Sequence, residues 1–218
     1  MNKEWSELNK TMQAQIKKKD TYKMGIDTLF NFRIQLMQTL VSFKEDLCRE
    51  DFNAIPFINA DGYHSKTIAY SIWHIFRIED IVAHTVITED EQVFFTGNYQ
   101  VRINSPIITT GNELVKQQIA DFSKQLNLEE LYSYIFEVRE STEKILERFS
   151  YDELKWKIPD ERKGYLKSLN VVNCDEKAIW LIDYWCSKDI RGLIQMPFSR
   201  HWIMHTEACL RIKNKMHS

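Results

Sequence analysis

The chain has 218 residues, which is the size of a single domain with a substantial core. It contains only six glycines and four prolines, whereas β-sandwiches and barrels need a turn about every 8–12 residues, so the composition favours long helices. The net charge of −2 lacks the basic excess of nucleic-acid-binding proteins, and we expect no nucleic-acid partner.

The hydropathy pattern argues against a membrane protein. No charge-free stretch is longer than ten residues, whereas a spanning helix needs about twenty apolar residues. The first residues, MNKEWSELNK, contain no apolar segment of the kind found in signal peptides. We therefore expect no membrane partner and a cytoplasmic location.

Hydrophobic periodicity predicts a series of helices along the chain. A short amphipathic helix is predicted over 3–19, and a long one over about 21–48. Ser65 is predicted to cap a helix over 66–86, and Asn127 to cap another that runs to about 149. Further helices are predicted over 113–126, 176–193 and 198–215.

The connections between these helices lack periodicity. The segments 53–63 and 159–164 are predicted to be loops. The stretch 88–112 is long for a connection, and it is predicted to be a lid or to hold a short strand over 99–103. Pro197 suits the first turn of the last helix, where its missing N–H is tolerated. The pattern as a whole predicts an all-α protein, with four long helices forming a bundle and smaller helices beside them.

Several common functional motifs are absent from the sequence. There is no phosphate-binding loop, dinucleotide fingerprint, nucleophile elbow or H-E-x-x-H zinc motif. None of the cysteines forms a C-x-x-C pair, so neither a zinc knuckle nor a thioredoxin-type site is predicted.

The segment RHWIMH carries the clearest chemical signal. It places His201 and His205 four residues apart on the last predicted helix, so the two rings lie ~40° apart around the axis and ~6 Å apart along it. They share a face, as two ligands of one metal ion must. Spacing alone, however, favours the simpler interpretation of two hydrogen-bonded core histidines, so the metal hypothesis depends on a third ligand.

His74 is the candidate third ligand, in an otherwise apolar part of the helix predicted over 66–86. Three separately buried imidazoles would cost about 1–3 kcal/mol for each unsatisfied group, whereas one ion satisfies all three. Taken alone, His74 fits an interface histidine equally well. The other histidines are weaker candidates. His64 precedes the predicted helix, His84 lies on a different face of it from His74, and His217 is one of the last two residues.

The segments YSIWHIFRIEDIVAH and MPFSRHWIMHTEACLRI resemble the DinB/YfiT-like superfamily of bacterial four-helix-bundle metalloproteins. In that family one histidine of the second bundle helix joins a His-x-x-x-His pair on the last, and the matching positions are His74, His201 and His205. The resemblance implies a single DinB-like helical domain over 1–218. Residues 1–19 then form an extra N-terminal helix, and the long connections 88–126 and 159–196 hold additional short helices.

Three neutral imidazoles would leave a divalent ion its full charge, which makes its open positions strongly electrophilic. Zinc and nickel are favoured, and iron, manganese and cobalt also suit such a site. Because some relatives use low-molecular-weight thiols, the resemblance implies a thiol co-substrate. We therefore expect a metal-dependent enzyme that acts on a small molecule, either a thiol-dependent S-transferase or a hydrolase.

Two other hypotheses stay open from the sequence. One is a non-catalytic metal-binding or stress protein, in which the ion staples helices together. The other is a metal-free interaction module, whose N-terminal helix docks a partner or completes a homodimer.

Residues around the histidines are candidates for orienting the rings. Tyr70, Glu79, Asp80 and Asp183 are possible hydrogen-bond partners of the imidazoles. Arg77 could meet an anionic substrate, although a surface or interhelix salt bridge is the favoured interpretation. The sequence identifies no general base.

Overall fold

A computed structural model describes residues 2–217, and within that range the chain is all-helical. Its β-structure there is limited to an isolated bridge between Lys157 and Asp189. In chain order the α-helices are α1 (Lys3–Gln15), α2 (Tyr22–Asp46), α3 (Arg49–Asn53), α4 (Ile68–Asp80), α5 (Val93–Thr96), α6 (Tyr99–Arg102), α7 (Gln117–Gln125), α8 (Leu128–Glu147), α9 (Glu161–Ser168), α10 (Glu176–Cys186), α11 (Ile190–Gln195) and α12 (His201–Met216). None of the helices described is both long and apolar enough to cross a membrane.

Two π-helical segments extend the long helices. One, Ile81–Thr88, continues α4, and the other, Met196–Arg200, joins α11 to α12. Pro197 lies in the first turn of the second segment, where its missing N–H is tolerated. It therefore precedes α12 by a turn instead of opening that helix. Single turns of π-helix often lie beside functional sites, and this one leads directly into His201.

Helix α4 is the centre of the fold. Every one of its residues is buried, which is typical of a helix covered on all sides. Five helices pack around it: α3, α5, α7, α8 and α12. Helix α2 contacts both α8 and α12. The long helices α2, α4, α8 and α12 thus share one core.

The N-terminal helix packs along α2 in the same chain. Trp5, Met12 and Ile16 are buried there. Gly25 permits this close approach, because a Cβ at its position would lie 2.5 Å from a side-chain carbon of Ile16. The apolar face of α1 is therefore covered by the chain itself.

Some predicted elements are confirmed and others are wrong. Asn127 caps α8 as predicted, since its side chain accepts hydrogen bonds from the first-turn N–H groups. Ser65 does not cap α4. Thr67 does, by accepting from the N–H of Tyr70. The strand predicted over 99–103 is wrong, because this segment forms α6, whose short turn buries Tyr99.

Two predictions near the end of the chain are also wrong. The loop predicted over 159–164 leads into α9, which contains the exposed Gly164 and is anchored by a hydrogen bond from Arg162 to the carbonyl oxygen of Thr85. The helix predicted over 176–193 is split into α10 and α11. Asp189 interrupts it, because its carboxylate accepts the N–H of Gly192 and caps α11.

Candidate metal centre

Three buried histidines from two helices lie close together. His74 lies in the middle of α4, while His201 and His205 occupy successive turns of α12. All three are buried, with exposed fractions of 4%, 8% and 4%. One ring nitrogen from each lies within 4.8 Å of the others. The group could therefore hold a metal ion.

The spacing of the rings fits a shared ion. Their centroids lie 5.1 Å (His74–His201), 4.8 Å (His74–His205) and 4.6 Å (His201–His205) apart. A zinc ion bonded at ~2.1 Å to three imidazole nitrogens, with bond angles of about 90–110°, places ring centroids roughly 4.5–5.2 Å apart. The observed centroid distances fall within this range. The ligand nitrogens lie within 4.8 Å of one another, and to share one ion they would have to approach to roughly 3–3.5 Å.

The orientation of His74 is set by a backbone carbonyl. Its Nδ1 lies 2.7 Å from the carbonyl oxygen of Thr110, to which it donates. This leaves Nε2 as the nitrogen available to an ion. Tyr70 stacks on the ring, with the centroids 5.2 Å apart and the planes inclined by 14°. The Tyr70 hydroxyl donates to the carbonyl oxygen of Gly111, so one loop holds both side chains.

The other two rings are less constrained by the protein. The buried Nδ1 atoms of His201 and His205 have no hydrogen-bond partner. A buried polar atom without a partner is costly and calls for an explanation. A histidine ring that has no hydrogen-bond partner in the protein can act as a metal ligand, and the ion then fixes its position.

Burial keeps the three imidazoles neutral. It lowers the pKa of His201 to about 4. Burial, and next the repulsion from His201, holds the pKa of His74 and of His205 well below the ordinary value. A neutral imidazole is the form that binds metal, so the site is ready for an ion at neutral pH.

This shift predicts the pH dependence of the metal-free protein. In the unfolded chain each histidine titrates near ~6.5, whereas the folded chain keeps these three neutral to lower pH. The unfolded state therefore binds more protons below pH ~6.5, and the unfolding free energy falls by about 1.4 kcal/mol per pH unit for each histidine. For His201 this loss ends near its folded pKa of about 4. Urea unfolding between pH 7 and 5 measures the slope.

The matched variant is His201→Asn. We expect it to reduce the pH dependence of the unfolding free energy by the contribution of one histidine, about 1.4 kcal/mol per pH unit. If the variant and the wild type lose stability equally steeply, the buried rings are not the source of the pH dependence.

Gly111 shapes the loop that holds His74. Its φ is +76°, and a Cβ there would lie 2.8 Å from the ring of Trp73 and 3.1 Å from that of Tyr70. Only glycine combines this backbone conformation with such close packing. The close packing of Gly111 positions the carbonyl of the neighbouring Thr110. The orientation of the His74 ring therefore depends on it as well.

We expect Gly111→Ala to lower the unfolding free energy by about 1–3 kcal/mol and to weaken zinc binding about 10–100-fold, as loss of a ligand-orienting contact does. Urea denaturation and a competition titration with a chromophoric chelator measure the two effects. The control is Gly62→Ala, since Gly62 also has a positive φ (+61°) but has open space around it. That change should affect stability alone, and a similar loss of zinc binding in both variants would contradict the assignment.

A cleft of about 510 Å³ opens onto the histidine trio, with His74 and His205 in its wall. Its size is in the range of small-molecule sites. Burial lowers the pKa of Lys66, which also lines it, to about 8. The remaining lining residues include Ile58, Asn59, Asp61, Tyr63, Tyr70, Asn112, Leu114, Lys116, Ile119 and Lys177.

Of the predicted orienting residues, Tyr70 contacts His74, whereas three others act elsewhere. Glu79 pairs with Arg33 and accepts a hydrogen bond from the indole of Trp202. Asp80 accepts the N–H groups of Val93 and Phe94 at the start of α5. Asp183 is exposed and pairs with Lys163.

Arg77 does not reach the cleft. It is fully buried and donates to the carbonyl oxygen of Ile108, with Asp80 at 3.5 Å. Arg77 therefore has a structural role, but not as a surface or interhelix salt bridge, because it is buried and Asp80 lies on the same helix. By holding Ile108, it anchors the same loop that presents Thr110 to His74.

The other histidines have separate partners. His84 is buried between Asp90 at its Nδ1 and Ser141 at its Nε2, at 2.7 Å and 3.0 Å. His64 contacts Arg211, and His217 lies near Asp51. None of the three belongs to the trio.

Sequence reasoning missed Thr110, the partner that orients His74. Its contribution is a backbone carbonyl, which any residue offers, so no residue type could have identified it. It also missed Lys66, Lys116 and Lys177 as lining residues of one cleft, because they lie far apart along the chain.

In comparisons with known proteins, no family model matches this sequence. No curated protein matches it either.

Proposed function

We propose that this protein is a metal-dependent enzyme that acts on a small molecule bound in the cleft, as a thiol-dependent S-transferase or a hydrolase. The observation that carries the proposal is that two members of the buried trio, His74 and His205, lie in the wall of a 510 Å³ cleft. A cofactor site that meets a concave pocket is the usual arrangement of an active site.

We also propose that the chain is a divergent member of the DinB/YfiT-like superfamily. The proposal is supported by the placement of the three histidines on α4 and α12 and by the packing of α2, α4, α8 and α12. In this proposal these four helices form the bundle, α1 is the N-terminal addition, and the short helices elaborate the connections.

His74, His201 and His205 would hold the ion, with zinc or nickel favoured and iron, manganese or cobalt also suited to the donor set. An ion held by three neutral ligands lowers the pKa of a bound water or thiol, which generates a nucleophile at neutral pH. Thr110 fixes the His74 ring by accepting from Nδ1. Tyr70 covers that ring on one side.

The cleft favours catalysis over a purely structural ion. Structural zinc sites are closed by four protein ligands, whereas catalytic sites have three and keep a position open. Here the trio is the metal-ligand group found among the described residues, and two of its members border the cleft. The apolar face of α1 is covered by α2, so it gives no support to a partner-docking role for that helix.

The test begins with the metal content of protein purified without an affinity tag. We expect one bound divalent ion per chain. The cobalt-substituted protein is then titrated with 2-mercaptoethanol, and a new thiolate-to-cobalt charge-transfer band in the near ultraviolet would support the transferase.

Two outcomes would contradict parts of the proposal. Failure to bind zinc, nickel or cobalt at micromolar concentrations would remove the metal-dependent function. Binding of cobalt without a spectral change at any thiol concentration would eliminate the thiol-dependent reaction and leave the hydrolase.

A further inference from the structure

Three lysines line the cleft beside the histidine trio, and each stands at the beginning of a different helix. Lys66 precedes α4 by two residues, Lys116 immediately precedes α7, and Lys177 is the second residue of α10. They come from distant parts of the chain and are brought together only by the fold.

This placement is electrostatically unusual. The first turn of a helix carries a positive partial charge, so acidic side chains are favoured there and lysines are disfavoured. The first turns of α4 and α7 contain no acidic residue, whereas the start of α10 carries Asp175 and Glu176 beside Lys177. Positive charge is therefore concentrated at Lys66 and Lys116. A cavity lined by one sign of charge attracts ligands of the opposite sign.

The protein forms few ion pairs with these lysines, although Glu113, which is bonded to Thr109, acts electrostatically on Tyr70 beside Lys66. Among the ion pairs of residues 2–217, none involves Lys66 or Lys116, while Lys177 lies 3.5 Å from Asp175. Asp61 is the acidic residue in the described lining of the cleft, and it is exposed. The charge is therefore available to a ligand.

Lys66 is held close to the histidines. Its Nζ lies 4.9 Å from the centre of the Tyr70 ring, and Tyr70 in turn stacks on His74. A cation over an aromatic face is held in place by the ring electrons. An anionic group bound by Lys66 would consequently lie next to the trio.

We infer that the cleft selects small anionic substrates, with an anionic group bound by Lys66 and Lys116 and the reactive part of the molecule directed towards the histidine trio. The role of the bound molecule as a substrate rests on the proposed function. Its binding in the cleft does not. Lys177 also lines the cleft as a third cation, and both it and Lys116 are exposed.

The test uses succinate, a small dianion, and succinamide, its neutral analogue, as probes. Each is titrated calorimetrically at low ionic strength into the metal-free and the zinc-loaded protein. We expect succinate to bind both forms and succinamide to bind neither. Lys66→Gln and Lys116→Gln should each weaken succinate binding about tenfold, the effect of losing one hydrogen bond to a charged group.

The matched control is Lys124→Gln. Lys124 is an exposed lysine of α7 that pairs with Asp121 outside the cleft, so its removal changes the net charge equally. It should leave succinate binding unchanged. Zinc affinity, measured separately by chelator competition, should be the same in Lys116→Gln and Lys124→Gln, whereas Lys66→Gln removes a positive charge that acts on His74 and His205 and should not weaken zinc binding.

The inference is overturned if succinate fails to bind at millimolar concentration, if succinamide binds as well as succinate, or if Lys124→Gln weakens binding as much as Lys66→Gln does. Because the metal-free protein is included, loss of zinc binding would contradict the proposed function while the lysine result still stands by itself.

Discussion

His205→Ala should lower zinc affinity more than a hundredfold and leave the helical content of the chain unchanged. The change removes one of three ligands, whereas loss of a contact that merely orients a ligand already costs 10–100-fold. The Nδ1 of His205 has no hydrogen-bond partner, so its removal leaves no protein group unsatisfied there. Chelator competition and far-ultraviolet circular dichroism measure the two quantities.

The matched control is His84→Ala. His84 is as buried as His205, at 5% exposed, but it is bonded to Asp90 and Ser141 instead of facing the other rings. We expect this variant to keep the zinc affinity of the wild type and to lose stability. Equal zinc binding by the two variants would contradict the site, and extensive loss of helix in His205→Ala would favour the structural staple.

Glu79→Gln should lower the unfolding free energy by about 3–5 kcal/mol, because it breaks a fully buried ion pair from one side. The Glu79 carboxylate pairs with Arg33 through both oxygens, at 2.6 Å and 3.0 Å. Burial by itself would lower the pKa of Arg33, but the attraction of Glu79 and Glu143 outweighs it and raises that pKa. The variant therefore retains a buried cation that has lost its main partner.

The same network supports the metal centre. Arg33 donates to the carbonyl oxygen of Phe198 in the π-helical segment, and the indole of Trp202 donates to Glu79. These two bonds flank His201 along the chain and fix how α12 lies against α4. We therefore expect Glu79→Gln to weaken zinc binding as well, although Glu79 does not touch the trio.

Urea denaturation of the metal-free protein at pH 7 measures the stability change. The control is Glu140→Gln, which removes an equal charge from an exposed pair with Lys144 on α8. Exposed pairs contribute little, so this control should leave the unfolding free energy essentially unchanged. Similar effects of the two substitutions would show that the buried pair does not stabilise the fold as argued.

Features that depend on neighbours along one helix can be predicted from the sequence. The 3.6-residue period predicted the long helices, and a side-chain oxygen at Asn127 predicted the start of α8. The four-residue spacing of His201 and His205 fixed their common face, since ideal helix geometry requires no knowledge of the rest of the fold. The same helix geometry places His84 on a different face from His74.

Contacts between distant groups become visible in the folded chain. The carbonyl of Thr110 reaches His74 because a buried arginine and a left-handed glycine shape the intervening loop. The lysines of the cleft come together because the fold brings residues at or just before the starts of three helices to one cavity. The spacing of side chains predicts which residues share a face over one or two turns of a helix. Contacts between remote segments depend instead on the path of the whole chain. Backbone carbonyls and loop conformations help to set that path, but no distinctive residue pattern marks them.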